Sequence, residues 1–131
     1  LMGRAPGTAD PRALLGTPPP SFIEDCAREL ARIHAIPLAE VPAALPCTDA
    51  RMQVEALATR FEAYGGDRPV MALALRWLSN HLPTPAEPVL LHGDFRMGNL
   101  LADANGITAV LDWELAHVGD RARDLAYGCI N

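Results

Sequence analysis

The first half of the chain carries apolar side chains at the three- and four-residue spacing of amphipathic helices. Ser21 and Glu24 stand at capping-box spacing and Pro37 follows, which predicts a helix between them. Its apolar face comprises Ile23, Cys26, Ala27, Leu30 and Ile33. A second predicted helix has the apolar positions Val54, Leu57, Ala58 and Phe61 and ends at Gly65-Gly66. A third has Asp67 as its predicted cap and carries Val70, Leu73, Ala74, Trp77 and Leu78 on one face.

From Val89 the pattern becomes that of strands. The apolar run 89–91 leads into polar residues, which predicts a buried strand that feeds a loop. Apolar segments at 100–102 and 107–111 flank an Asn-Gly pair, which tolerates the positive φ angles of a tight turn, so a β-hairpin is predicted. Another helix is predicted from about Asp120. The first 20 residues, rich in Gly and Pro and without a clear period, predict a connector lying over a surface.

Composition narrows the class of protein. A chain of 131 residues that is 50% hydrophobic is expected to fold as one globular unit. A net charge of −5 without any basic run argues against a nucleic-acid partner. Three cysteines without a CxxC pair indicate neither a disulfide framework nor a zinc site and favour a reducing cytoplasm. No apolar stretch approaches the roughly 20 residues that span a membrane. The chain stops within an apparent helix, "DLAYGCIN", so we expect a piece of a longer protein.

Polar side chains are concentrated between the predicted strand and the hairpin. His92, Asp94, Arg96 and Asn99 lie in the loop, and Asp112 follows the second hairpin strand. If the hairpin folds back at its turn, Asn99 and Asp112 come side by side, with Asp94 within a few ångströms. Oxygen ligands in that arrangement suit Mg²⁺, and a further carboxylate beside the ion can accept a proton from an attacking hydroxyl. The layout is typical of phosphoryl transfer.

The same residues resemble a known family. "HGDFRMGN" is similar to the kinase catalytic loop, with Gly93 in place of the usual Arg, and "VLDWE" stands where protein kinases carry their metal-binding Asp-Phe-Gly. With "LDWELAHVGD" and "DLA", the chain resembles the aminoglycoside phosphotransferase-like, or choline-kinase-like, family. Within it, the kinase-like domain related to certain acyl-CoA dehydrogenases is the most similar. The resemblance covers 21–131 loosely and 89–126 closely.

The resemblance implies an α+β fold, the protein-kinase-like C-terminal lobe, mainly helical, with a catalytic loop and a short β-hairpin. Residues 1–20 would be a connector after the interlobe hinge, and 21–131 a partial lobe without the N-terminal lobe and the final helices. The implied activity is transfer of a phosphoryl group from ATP, or GTP, to a hydroxyl group of a small molecule, with Mg²⁺. The acceptor stays open among aminoglycosides, macrolides, choline, sugars and hydroxyacyl thioesters.

The resemblance also implies roles for individual residues. Asp94 would be the catalytic base, and Asn99 and Asp112 would hold Mg²⁺ and the nucleotide. Arg96 would contact the transferred phosphate or brace the loop through a salt bridge. His92 would support the loop, and Asp124, a buried aspartate on the following helix, would brace it. Beside these, three residues are expected to pack, namely His34, Phe61 and Trp77, and His81 lies near a helix end. Glu114 and His117 are candidates for the acceptor site.

Two features keep a second class of function open. The chain has no lysine, and the glycines at 65 and 66 follow a helix, so the strand lysine and Gly-rich loop that hold ATP in kinases are absent from it. The alternative is therefore a non-catalytic, truncated or degenerate kinase-like binding module, and the chain alone is expected to be inactive.

An isolated lobe is also expected to expose apolar surface and to self-associate or be unstable. A metallohydrolase site at His92 and Asp94 would need more ligands.

Overall fold

The computed structural model describes residues 5–130, with the backbone alone at 129 and 130. The helices of the described chain are α1 (Pro11–Gly16), α2 (Phe22–His34), α3 (Ala50–Ala63), α4 (Pro69–Asn80) and α5 (Ala122–Ile130). The strands are β1 (Val89–Leu91), β2 (Leu100–Asp103), β3 (Gly106–Val110) and β4 (His117–Gly119). Single 3₁₀ turns occupy Leu38–Glu40 and Met97–Asn99. This mixture of helices with small antiparallel sheets confirms the predicted α+β class. The side chain of Cys129 lies outside the described residues.

The predicted hairpin is formed by β2 and β3, which pair antiparallel from Leu100–Val110 to Asp103–Gly106. The positive φ of the turn falls on Gly106 at +125° and not on Asn105, whose backbone N–H donates to the Asp103 carboxylate at 2.7 Å. Beyond the last pair, the Leu111 N–H donates to the Asn99 carbonyl at 2.8 Å. The hairpin thus fixes the residue before Asp112 against the end of the polar loop.

A second sheet, which the sequence pattern did not reveal, joins β1 to β4. The strands are antiparallel, with Leu90 opposite Val118. The segment Cys47–Thr48 runs along the other edge of β4, where the Thr48 N–H donates to the Val118 carbonyl at 2.9 Å. β4 leads almost directly into α5, and Asp124 on α5 accepts the backbone N–H groups of the two residues that follow β1.

Residues 8–16 of the predicted connector carry a short helix and touch the fold at a few points, while most of their side chains stay exposed. Asp10 caps α1 by accepting the Arg12 N–H at 3.0 Å, and Pro11 occupies the first turn, where its missing N–H costs nothing. Leu14 on α1 is buried in the core. Thr8 exchanges two backbone hydrogen bonds with Ala102 of β2, at 2.8 and 3.0 Å. Of the predicted connector, residues 1–4 lie outside the described part of the chain.

Helix α2 forms as predicted, but its cap and its buried face differ. The Ser21 hydroxyl donates to the Asp25 carboxylate at 2.8 Å and does not cap the helix. Ile23, predicted on the apolar face, is 80% exposed, whereas Phe22 is buried. The buried face of α2 therefore starts one residue earlier than the apolar pattern suggested.

Helices α3 and α4 pack against each other, yet little of their apolar surface is covered. Val54 and Leu75 are the buried residues of this pair. Trp77, predicted in the core, is 57% exposed and stacks on His81 with ring centroids 4.4 Å apart. The predicted α4 face is likewise exposed, at Val70, Leu73 and Leu78. Asp67 is not the cap, because α4 begins after Arg68 with Pro69. A helical period identifies an apolar stripe, but not whether a neighbour covers it.

The core lies behind the polar loop. It joins α1 and α2 to both sheets, and its buried apolar members are Leu14, Phe22, Leu30, Ile33, Leu90, Phe95, Leu100 and Ala102. Within residues 5–130, no helix is both long and apolar enough to cross a membrane. The loop that follows β1 is thus seated on packed side chains, which fixes the position of its polar groups.

Candidate active site

Asp94 is the centre of the polar cluster. The residue is 8% exposed, and each of its carboxylate oxygens accepts a hydrogen bond from Arg96 Nε at 3.1 Å. The side-chain amide of Asn99 donates to the Asp94 carboxylate at 2.6 Å and to the Asp94 carbonyl at 2.9 Å. Three of the four predicted site residues are therefore in direct contact. Of the two roles predicted for Arg96, phosphate contact and a salt bridge that braces the loop, the structure contains the salt bridge, which Arg96 makes with Asp94.

Tyr127 on α5 is a third group that hydrogen bonds to this carboxylate, and it was not among the residues predicted from the sequence. Burial raises the pKa of Asp94, but hydrogen bonds from Tyr127, Arg96 and Asn99, together with the Arg96 charge, hold that pKa below its ordinary value. The same hydrogen bond and the Asp94 charge raise the pKa of Tyr127. At neutral pH the carboxylate is therefore ionised and the phenol keeps its proton. The available signal was spacing, since Tyr127 lies one helical turn after Asp124.

Asp112 is held in an unusual backbone conformation at the rim of the site. Its φ is +63°, and no other described non-glycine residue has a positive φ. The preceding Leu111 is bonded on both sides, through its N–H to Asn99 and through its carbonyl to His92 Nε2 at 2.9 Å. Because both backbone groups of Leu111 are hydrogen bonded, the chain turns at the next residue, and Asp112 takes the left-handed conformation. Such strain persists where the surrounding structure fixes it, and it is concentrated at functional sites.

The donor set at Asn99 and Asp112 fits a hard divalent cation. The Asn99 amide nitrogen is committed to Asp94, which leaves its oxygen directed elsewhere. The Asp112 carboxylate is exposed and accepts no hydrogen bond from the described residues. Mg²⁺ takes few protein oxygens and keeps positions for water and phosphate oxygens. No group of three or more His, Cys, Asp or Glu suited to a metal occurs in residues 5–130, so a zinc-type site does not fit.

A buried carboxylate braces the loop from α5. Asp124 is 0% exposed and accepts the backbone N–H groups of His92 at 2.9 Å and Gly93 at 2.8 Å. His34 Nε2 on α2 lies 3.1 Å from the same carboxylate. The loop-bracing contact predicted for Asp124 is thus present, and His34, predicted to be a packing residue, is part of it.

The family follows from comparison with known proteins. The model of the phosphotransferase enzyme family known as APH matches residues 1–131. The chain belongs to this family. Acyl-CoA dehydrogenase family member 10 of Mus musculus is 44% identical over 64 residues, which are 47% of this chain and 6% of that protein. Aminoglycoside 3′-phosphotransferase of Escherichia coli is 30% identical over 110 residues, which are 79% of this chain and 41% of that protein.

A solved phosphotransferase structure shows the same fold. The GDP and kanamycin complex of an aminoglycoside phosphotransferase superposes with a TM-score of 0.73 at 18% identity, over 95% of this chain and 47% of that one. This likeness confirms the protein-kinase-like fold. The chain spans less than half the length of each of these three proteins.

The glycine that stands in the loop where kinases usually carry Arg has a structural reason. Gly93 has φ +84°, and a Cβ there would overlap the carbonyl oxygen of Leu115. The segment after Asp112 therefore crosses directly over the loop backbone. No residue with a side chain fits at this position without moving one of the two segments.

The histidines of the candidate site are internal supports. His92 is fully buried, accepts the Asp94 N–H at Nδ1 at 3.2 Å and donates from Nε2 to Leu111. His117, considered for the acceptor site, is buried with Nδ1 2.8 Å from the Leu115 carbonyl and Nε2 3.1 Å from Arg123. Both ring nitrogens of each histidine are occupied, so neither faces an acceptor. Glu114 is exposed.

Proposed function

We propose that this chain is the catalytic-loop lobe of a kinase that transfers the γ-phosphoryl group of ATP or GTP to a hydroxyl group of a small molecule. One observation carries the proposal. The Asn99 side chain donates a hydrogen bond to the ionised Asp94 carboxylate. The Asn99 backbone carbonyl accepts the N–H of Leu111, the residue before Asp112. The proposed base, Asn99 and the residue before Asp112 thus belong to one hydrogen-bonded unit. The relatives named above include an aminoglycoside phosphotransferase and a complex with GDP, which supports the same reaction class.

In this proposal each group has one task. Asp94 accepts the proton of the acceptor hydroxyl, and its lowered pKa keeps it ionised for that purpose. Asn99 Oδ1 and the Asp112 carboxylate hold Mg²⁺, which neutralises phosphate charge when bound. Arg96 reaches Asp94 through Nε, so its terminal amino groups are left to contact the transferred phosphoryl group.

We also propose the surroundings of this lobe. Residues 1–20 follow the interlobe hinge, and 21–131 form part of the lobe, with a nucleotide-binding lysine supplied by a segment outside this lysine-free chain. The protein acts in the cytoplasm, without nucleic-acid or membrane partners. The exposed apolar residues of α4 favour self-association of the isolated lobe.

The test is acceptor phosphorylation and nucleotide hydrolysis by the full-length product of the reading frame. Asp94→Asn keeps the shape of the side chain and removes the base, so we expect a loss of about 100-fold or more in kcat, with nucleotide affinity retained. Glu114→Gln, at an exposed carboxyl near Asp112, is the matched control and should retain activity. If wild-type protein neither binds nor hydrolyses Mg²⁺-nucleotide, the proposal is wrong and the binding-module alternative stands.

A further inference from the structure

A groove runs from Tyr127 between the N-terminal ends of α3 and α5. Two adjoining cavities of about 390 and 340 Å³ make it up, and they share Ala50, Pro83 and Asp120. The first is lined by α5 and includes Tyr127, and the second continues under the proline-rich segment 82–88. We call this feature the α3–α5 groove. Its volume is in the range of small-molecule sites.

The inner end of the groove lies at Tyr127, the residue that hydrogen bonds to the proposed base. Tyr127 lines the groove and also hydrogen bonds to the Asp94 carboxylate. Ala122 and Ala126, one turn apart on α5, line the same cavity and leave space beside the tyrosine ring. Asp94 itself does not line either cavity, so a hydroxyl group entering along α5 reaches its carboxylate only when the Tyr127 side chain moves aside.

The charges along the groove cancel. Its lining has two carboxylates, Asp49 and Asp120, and two guanidinium groups, Arg51 and Arg123. Both carboxylates cap helices, because Asp49 accepts the Met52 N–H at 2.7 Å and Asp120 accepts the Ala122 N–H at 2.9 Å. The partial positive charge of these helix ends further offsets them. A polycation finds no net negative charge here.

One wall of the outer end of the groove is apolar, opposite the charged residues already described. This wall comprises Met52, Leu82, Pro83, Pro85, Ala86 and Pro88. A polar hydroxyl site at one end and an apolar wall at the other match a ligand with the same division. The match favours one hydroxyl group on an aliphatic body.

We infer that the α3–α5 groove binds the acceptor, and that the acceptor is an uncharged hydroxyl compound with an aliphatic body. The inference rests on the proposed function. The acceptor oxygen forms a bond to the γ-phosphorus of the nucleoside triphosphate while its proton passes to Asp94. The bond from the γ-phosphorus to the bridging oxygen breaks, and the products are a phosphate monoester and a nucleoside diphosphate. Tyr127 acts as a positioning residue that yields its place at Asp94 to the acceptor.

The experiment compares a series of straight-chain primary alcohols with kanamycin as acceptors of the full-length protein. We expect kcat/KM to rise about fourfold for each methylene that enters the groove, and no transfer to kanamycin. Ala126→Trp fills the groove and should raise the KM for the longest alcohol about tenfold or more, with nucleotide affinity unchanged. Ala56→Trp, at an exposed α3 position outside the groove, is the control and should leave that KM unchanged.

The outcomes separate the two proposals. Alcohols that show no dependence on chain length, or a preference for kanamycin, overturn the inference while nucleotide hydrolysis that depends on Asp112 persists. Loss of Mg²⁺-nucleotide binding in wild-type protein overturns the proposed function and the inference with it. If Ala126→Trp loses its native circular dichroism spectrum, Ala122→Leu replaces it. Saturation-transfer NMR of octanol gives a readout without turnover, and an equal signal in wild-type and groove-filled protein contradicts the inference.

Discussion

Replacement of Asp124 by alanine tests the bracing of the catalytic loop. The buried carboxylate satisfies the N–H groups of His92 and Gly93 and contacts His34. An unsatisfied buried donor costs about 1–3 kcal/mol, so two orphaned N–H groups predict a loss of about 2–6 kcal/mol. Because whole domains are stable by only about 5–15 kcal/mol, this change consumes much of the total.

The assay is urea unfolding of the full-length protein, followed by circular dichroism, with nucleotide hydrolysis measured in parallel. Asp67→Ala is the control, since that exposed carboxylate makes only a 3.6 Å ion pair with Arg68 and should change stability by less than about 0.5 kcal/mol. A loss below about 1 kcal/mol for Asp124→Ala would show that the loop is held by other contacts. His34→Ala should cost about 1 kcal/mol and be non-additive with Asp124→Ala.

Three further predictions address the loop, the N-terminal segment and pH. Gly93→Ala should lower stability by about 1–3 kcal/mol and reduce turnover, because φ +84° and the Leu115 carbonyl both oppose a Cβ; unchanged melting and kinetics would contradict this. Asp10→Ala removes the cap of α1 and should cost about 1 kcal/mol in chemical unfolding, against no cost if 8–16 were a loose connector. The lowered pKa of Asp94 contributes stability that is present above the ordinary value of 3.8 and lost as the pH falls through the folded-state value. Acid titration of Asp94→Asn should therefore lack part of the pH dependence below about pH 4, and superimposable acid curves would refute the assignment.

The catalytic loop could be predicted because its determinants are local. The apolar run 89–91 and the Asn-Gly turn define a strand and a hairpin within 22 residues of sequence, and antiparallel pairing then brings the residue before Asp112 to Asn99. The contact between Asp94 and Asn99 spans only five positions. Neighbouring pairs of this kind follow from element type and turn position without knowledge of the whole fold.

Contacts between distant segments could not be predicted in the same way. His34 and Asp124 are 90 positions apart, and nothing in the pattern of α2 identifies their pairing. The sheet between β1 and β4 escaped notice because three-residue strands show no alternation. The apolar stripe of α4 predicted burial for Trp77. Periodicity does not specify which element covers a stripe, and the Trp77 side chain is largely exposed.

The Mg²⁺ dependence of nucleotide affinity shows whether Asn99 and Asp112 form the metal site. We would measure ATP binding to the full-length protein by calorimetry with and without Mg²⁺, for wild type, Asp112→Asn and the control Glu114→Gln. We expect Mg²⁺ to strengthen binding in wild type and in the control, and Asp112→Asn to abolish this gain by removing the charged ligand. Equal Mg²⁺ dependence in Asp112→Asn and wild type would contradict the assignment of Asn99 and Asp112 as the metal site.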